Sequence, residues 1–232
     1  MRELELADVH TYYGESHILE GVDLHVETGE VVALIGRNGV GKTTTLRSVL
    51  QLTPPRSGEI RVKGENVVGE RPHYVANLGV GWIPEERRIF SQLTVAENIA
   101  IASPSSIPKE QALERAFEAF PDLEEKRNQD AGSLSGGQQQ MLAIARGIVG
   151  KNDLLLVDEP SEGLAPFIIE QVAESLSAVA ADTTILLVEQ NLPLALDLAD
   201  RYYVLDNGRV VESGETGSVS PDDEEIRRHL TA

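Results

Sequence analysis

Gly36-Arg37-Asn38-Gly39-Val40-Gly41-Lys42-Thr43 fills every fixed position of the pattern G-x-x-x-x-G-K-T, with Thr44 behind it. Such glycines let the backbone curl until successive N–H groups face phosphate oxygens, and the N-terminus of a following helix adds positive potential. In that geometry the Lys42 ammonium reaches the β- and γ-phosphates of a nucleoside triphosphate, and the Thr43 hydroxyl ligates Mg²⁺. The competing reading is a glycine turn that precedes a helix by chance. The apolar run Val31–Ile35 before the loop and the helical pattern after it argue against chance.

A second chemical group lies 116 residues beyond Lys42, where Leu154-Leu155-Leu156-Val157 ends in Asp158-Glu159. The interior of a buried strand does not accommodate an acid, so the pair belongs at the carboxyl end, where ligands bind in α/β sheets. There Asp158 holds Mg²⁺ through water, and Glu159 orients and deprotonates an attacking water. By itself a strand ending in Asp-Glu is equally a helix-entry signal; the phosphate loop decides between the two. A third group, Leu134-Ser135-Gly136-Gly137-Gln138, opens a helix whose apolar positions include Met141, Ile144, Ala145 and Ile148. Ser135 with two glycines makes another anion-binding helix end. One chain thus carries two phosphate-binding ends, although one nucleotide needs a single phosphate loop.

With these three motifs the chain resembles the ATP-binding subunits of ABC transporters over nearly its whole length. The resemblance implies two such subunits facing head to tail. Each signature helix (Ser135, Gly136, Gly137 and Gln138 here) closes on the ATP held by the other. Tyr12-Tyr13-Gly14 stands where the family has an aromatic that stacks on adenine; Tyr13, directly before the glycine, is the candidate, and a core or edge-strand aromatic is the alternative. Glu85, in Ile83-Pro84-Glu85-Glu86-Arg87-Arg88-Ile89-Phe90, takes the place of a Gln that senses the γ-phosphate and Mg²⁺. Gln190, in Val188-Glu189-Gln190-Asn191, takes the place of a His that contacts the γ-phosphate, unless it merely ends a strand. Ala165, in Glu159-Pro160-Ser161-Glu162-Gly163-Leu164-Ala165-Pro166, replaces a common Asp. Together these departures resemble one branch, the LivF-type ATP-binding subunit of branched-chain amino acid importers, with Glu86 in place of that branch's glycine. A Glu at position 85 still accepts a hydrogen bond from a metal-bound water, and its charge strengthens metal binding. Gln190 donates a hydrogen bond but never becomes a cation. This subunit's own site is therefore expected to hydrolyse less readily than one with the usual pair.

The pattern also shows the elements that must hold these groups. Residues 31–35, 154–157 and 184–188 are mostly apolar, as expected of strands buried on both faces of a parallel sheet. Residues 22–26 and 59–62 alternate, the latter closed by Lys63-Gly64. Segments 202–205 and 209–212 flank Asn207-Gly208, a hairpin signal. Helices are expected over 42–52, stopped by Pro54-Pro55, over 109–120 and over 167–180. The stretch 93–148 reads as helical, N-capped by Thr94, and an acidic run at 222–225 caps a terminal helix over 226–230. The expectation is one ATP-binding domain over 1–232. It is an α/β P-loop fold of the ABC ATPase type, with a mostly parallel core sheet, an antiparallel β subdomain and an α-helical subdomain inserted at about 93–148.

The 232 residues include no cysteine, which excludes a disulfide framework, a thiolate metal site and a cysteine nucleophile. No unbroken apolar run exceeds five residues, against the ~20 of a membrane helix. Met1-Arg2-Glu3-Leu4-Glu5 lacks the basic head of a secretory leader, so a soluble intracellular protein is expected. Asp plus Glu number 38 against 20 Lys plus Arg, a net charge of -18, and only five of those bases are Lys. That field repels nucleic-acid phosphate and anionic lipid. With Lys scarce as well as acid abundant, a host with a salty cytoplasm is favoured over an ordinary acidic cytosolic protein. His10, His17, His25, His73 and His229 have no metal-site spacing and read as surface or packing residues.

Three functions compete. The first is an energy-coupling ATPase at the cytoplasmic face of the membrane, paired with a second ABC ATPase subunit as a homo- or heterodimer. It docks on two transmembrane permease subunits and serves a substrate-binding protein indirectly. The second, a DNA-repair ABC ATPase with motifs held apart on coiled coils, is opposed by the 116-residue spacing and the absent heptads. The third is a weakly hydrolysing regulatory subunit, opposed by Glu159 and favoured mildly by Glu85 and Gln190. Among importers the runner-up cargo is urea or a short amide; Gly163-Leu164-Ala165-Pro166 tips the reading toward branched-chain amino acids.

Overall fold

A computed structural model describes residues 1–150 and 152–230; Lys151, Thr231 and Ala232 of the expected 1–232 domain lie outside the described residues. The chain begins with β1 (Arg2–Tyr13), β2 (Ser16–Glu27), β3 (Val31–Ile35), α1 (Lys42–Val49), β4 (Ser57–Val62), β5 (Glu65–Asn66), α2 (Pro72–Asn77) and β6 (Val80–Ile83). Four helices follow, α3 (Val95–Ala102), α4 (Lys109–Ala119), α5 (Pro121–Glu124) and α6 (Gly136–Ile148). The remainder is β7 (Leu154–Asp158), α7 (Pro166–Ala180), β8 (Thr184–Glu189), α8 (Leu192–Leu198), β9 (Arg201–Asp206), β10 (Arg209–Glu215) and α9 (Glu224–Leu230).

Six strands form one sheet in the order β10-β9-β3-β8-β7-β6, and four form another in the order β2-β1-β4-β5. In the larger sheet β9, β3, β8, β7 and β6 are mutually parallel, and only β10 runs antiparallel. The β9–β10 turn is Asn207-Gly208, with φ of 46° and 75°, the left-handed pair that a tight hairpin requires. The smaller sheet is antiparallel throughout.

Both faces of the larger sheet are covered, which is why its inner strands read as unbroken apolar runs. Val31, Ala33 and Ile35 pack with residues of α3 to α9, whereas Val32 and Leu34 face the other way. Leu155 and Val157 divide from Leu154 and Leu156 in the same manner, as do Ile185 and Leu187 from Leu186 and Val188. The second core holds Leu46, Val49 and Leu50 of and just after α1 together with Leu4, Leu19 and Leu24 of the smaller sheet. The helix that follows the phosphate loop is thereby clamped between two sheets. Each large apolar side chain buried there contributes about 1.5–3 kcal/mol.

The structure shortens one expected element and divides another. α1 ends at Val49 rather than Leu52, five residues before Pro54, because Gln51 adopts a left-handed φ of 56°. Leu52 N–H then bonds to Arg47 O at 2.9 Å and Gln51 N–H to Ser48 O at 3.1 Å, the paired bonds of a Schellman termination. The stretch 93–148 holds four helices, the first N-capped by Thr94 through a reciprocal capping box with Glu97. Strand β1 was not apparent from alternation, because Asp8 sits at φ 49° and the register slips between Leu6 and Val9, which breaks the period of two. Four short elements, β5, α2, β6 and α8, also escaped the pattern. Among the described residues no helix is long and apolar enough to cross a membrane.

One consequence of this topology is functional. The adjacent parallel strands β3, β8, β7 and β6 end in near register: Ile35 opposes Glu189, Val188 opposes Asp158, and Val157 opposes Ile83. Their following loops, beginning at Gly36, Gln190, Glu159 and Pro84, therefore open on one edge of the sheet.

Candidate nucleotide site

The phosphate loop leaves β3 at Gly36 and enters α1 at Lys42. A side chain at Gly36 would press within 2.5 Å of the Leu205 carbonyl oxygen. Gly41 combines φ 113° with a Cβ position 2.7 Å from Leu19 Cδ2, so glycine is needed there for both conformation and space. Gly208 N–H donates to Val40 O at 3.0 Å, which ties the loop to the β9–β10 hairpin. Arg37, Asn38 and Gly39 face solvent, while Thr44 is buried in α1 and its carbonyl accepts from the Ser48 hydroxyl.

Lys42 is buried and folds back over the loop. Its Nζ donates to Gly36 O at 2.8 Å and Arg37 O at 2.9 Å, and lies 2.9 Å from Glu159 Oε1. The structure thus joins the phosphate-loop cation to the residue expected to act as base, across a sequence gap that neither motif reveals. Glu159 has φ 44°, an uncommon conformation for a non-glycine residue and one that a surrounding structure must hold in place. Its N–H donates to Val188 O at 2.9 Å.

Thr43 Oγ1 donates to Asp158 Oδ1 at 3.0 Å, while Asp158 Oδ2 is buried without a hydrogen-bond partner. Burial, opposed by the Thr43 bond and reinforced by the Glu159 charge, pushes the Asp158 carboxyl up to about 6. An orphaned carboxylate oxygen beside a hydroxyl is an all-oxygen donor set of the kind Mg²⁺ takes, and phosphate and water oxygens supply its remaining ligands. The residues fit the ion. Among the described residues no three His, Asp or Glu side chains form a metal-holding group.

The other expected residues are placed as follows. Glu85 is exposed and hydrogen-bonds the Glu162 side chain; that bond first, and burial second, push its carboxyl up to about 7. Gln190 is exposed on the turn after β8. Tyr12 and Tyr13 take different roles in β1. Tyr12 stacks on His17 with ring centroids 4.1 Å apart and lies under the Arg56 guanidinium at 4.2 Å. Tyr13 stays exposed, its hydroxyl 3.4 Å from Thr53 Oγ1 just beyond the helix of the phosphate loop. Ser135 caps α6: its Oγ accepts from Gln138 N–H at 3.3 Å, and Gln138 Oε1 accepts from Ser135 N–H at 3.1 Å. Ser135 and Gly136 are exposed, and Gly137 lies tight against Ile168 of α7. Among the described residues no hydrogen bond joins this helix end to the phosphate loop. His10 and His17 contact each other at 3.0 Å, His25 meets Tyr203, and His229 meets Asp206.

Two contributors escaped the motif reading. Glu162 pairs with Glu85, and Glu189, the last residue of β8, is buried at the end of the apolar run 185–188. An acid closing an otherwise apolar run was the available signal for Glu189.

In chemical terms the edge offers a cradle of N–H groups and one buried cation for triphosphate oxygens. It also offers a hydroxyl–carboxylate pair for Mg²⁺, which when bound polarises the phosphate oxygens and offsets their charge. The Glu159 carboxylate is held at the same edge against Lys42, and Gln190 lies exposed on the turn after β8.

This fold and site define a P-loop ATPase of the cassette type. The chain belongs to the ABC transporter family, which it matches over residues 19–162. It is 44% identical over 211 residues to the high-affinity branched-chain amino acid transport ATP-binding protein BraG of Pseudomonas aeruginosa, covering 90% of this chain and 91% of BraG. To the probable branched-chain amino acid transport ATP-binding protein LivF of Archaeoglobus fulgidus it is 38% identical over 207 residues, 87% of each chain. Among solved structures, a nucleotide-free ATP-binding cassette from an ABC transporter superposes with a TM-score of 0.85 at 25% identity over 100% of both chains. An ATP-binding cassette of an ABC transporter in its ADP conformation gives 0.82 at 26% identity, covering 98% of this chain and 99% of that one.

Proposed function

We propose that this chain is the ATP-binding and hydrolysing subunit that powers an ABC importer of branched-chain amino acids. The observation that carries the ATPase reading is the meeting of Lys42, Thr43, Asp158 and Glu159 on one sheet edge. What supports the cargo is the likeness to BraG and LivF, whose names give branched-chain amino acid transport. In this reading residues 36–44 bind the triphosphate, Thr43, Asp158 and Glu85 serve Mg²⁺, Tyr13 stacks on adenine, and Gln190 meets the γ-phosphate. Ser135 to Gln138 complete the site of a second ATPase subunit. The single domain, with its helical subdomain over 93–148, works at the cytoplasmic face of the membrane on two permease subunits. The charge of -18 fits a salty cytoplasm; melting temperatures that rise with KCl toward molar concentrations support that host, and flat ones exclude it.

The test is ATP hydrolysis by the assembled transporter in proteoliposomes. Leucine-loaded binding protein should stimulate turnover, whereas a urea-loaded binding protein should not. Stimulation by urea alone would move the chain to the amide importers, and no hydrolysis in any assembly would make it a regulatory subunit.

A further inference from the structure

Glu189 is 1% exposed, and the nucleotide chemistry described above does not use it. Backbone N–H groups from two loops converge on its carboxylate. Ser161 N–H donates to Oε1 at 3.1 Å, and Gln190 and Asn191 N–H donate to Oε2 at 3.1 and 3.0 Å. Its own carbonyl oxygen accepts from Gly36 N–H at 3.3 Å. One residue thus touches the start of the phosphate loop, the segment two residues beyond Glu159, and the turn that carries Gln190. A buried acid is costly unless its oxygens are bonded, and these amides supply the bonds. Burial pushes its carboxyl upward while the N–H donors work against that rise.

We propose that Glu189 is a positioning residue for hydrolysis, a buried clamp that holds the Glu159 loop and the Gln190 turn in fixed relation to the phosphate loop. The proposal rests on the roles read above for Glu159 and Gln190. Its force comes from acceptor geometry. A carboxylate offers two acceptor oxygens, whereas a carboxamide offers one and turns N–H donors toward the other loop. In Glu189→Gln the single oxygen satisfies more donors on the Gln190–Asn191 side, so Ser161 N–H is the group released. The Lys42 contacts with Gly36 and Arg37 carbonyls do not involve this carboxylate, so ATP binding should survive.

The experiment compares the purified parent chain with Glu189→Gln and Glu189→Asp, each with its partner subunit where the dimer is heteromeric. Three readouts are taken: amide hydrogen exchange without nucleotide, ATP and ADP dissociation constants, and single-turnover hydrolysis. In Glu189→Gln, Ser161 should exchange at least about 10-fold faster while amides in the core of β3 keep their protection. Hydrolysis should slow by about 10²-fold, the loss that a misplacement near 1 Å can cause, with ATP affinity within about threefold of the parent. Gln190→Ala should cost less in the Glu189→Gln background than in the parent, because both changes disturb one unit. Parental Ser161 exchange, or hydrolysis within about twofold of the parent, overturns the proposal. So does a loss shared equally by ATP affinity, hydrolysis and core protection, which marks a purely structural role. A parent that never hydrolyses ATP refutes the functional reading; an active parent with an equally active Glu189→Gln refutes only the clamp.

Discussion

Removing the Lys42 ammonium is expected to cost stability before any nucleotide is added. Lys42 Nζ lies 2.8 and 2.9 Å from two carbonyl oxygens and 2.9 Å from Glu159 Oε1, with the two side chains 2% and 10% exposed. Deleting one member of a buried pair leaves the other charge without a partner and costs about 3–5 kcal/mol. Glu159 sits in a loop at the sheet edge and can turn partly toward water, so Lys42→Ala belongs at the low end, about 3 kcal/mol. For a domain of this size that is a fall of about 6–12 °C in melting temperature. Adding Glu159→Gln removes the orphaned charge, and the double variant should regain at least about 1 kcal/mol over Lys42→Ala alone. Nucleotide supplies a second arm. Mg-ATP at about 100 times its dissociation constant should stabilise the parent by about 2.7 kcal/mol, and Lys42→Ala should lose most of that gain with its β/γ-phosphate contact. Scanning fluorimetry of the three proteins with and without Mg-ATP measures both effects. An unchanged melting temperature in Lys42→Ala would refute the ion-pair argument, and a fully retained ATP shift would remove Lys42 from the phosphate site.

Glu159→Gln should trap an ATP-bound dimer, since the amide keeps the shape of the site but cannot take the water's proton; size-exclusion chromatography with Mg-ATP would show it, and hydrolysis at the parental rate would refute it. Gln190→His should raise turnover at this chain's own site, whereas Ser135→Arg should chiefly damage the site of the second subunit. Single-turnover assays on heterodimers with one phosphate-loop lysine disabled separate the two, and equal rates at both sites would end the asymmetry argument. For Glu85 the folded value of about 7 lies above the ordinary 4.5, so the folded chain holds a proton that the unfolded chain releases. The stability this contributes is fully present below the unfolded value and is lost as pH rises from about 4.5 through about 7. Glu85→Gln, which keeps a donor for Glu162, should flatten the fall in melting temperature across that window, and an unaltered profile would count against the shared proton.

The chemistry of this protein was legible where it is local in the chain. A phosphate loop is eight contiguous residues whose glycines, lysine and threonine each answer a short-range demand, and the Ser135 cap spans only four. The parallel sheet was legible for a similar reason: strands covered on both faces leave apolar runs without alternation. Bulged β1 and four-residue β6 left too little periodic signal, and α1 ended on a left-handed Gln51 that no propensity favours. Only the folded chain decided which strands are neighbours, and hence that Glu85, Asp158, Glu159 and Gln190 share one edge. It also divided two adjacent tyrosines, spending Tyr12 in a stack with His17 and Arg56 while leaving Tyr13 exposed. The Lys42–Glu159 pair and the Ser161 amide on Glu189 likewise join residues far apart in sequence. Such contacts depend on the packing of whole elements against two shared cores, and local residue patterns carry no record of that distance.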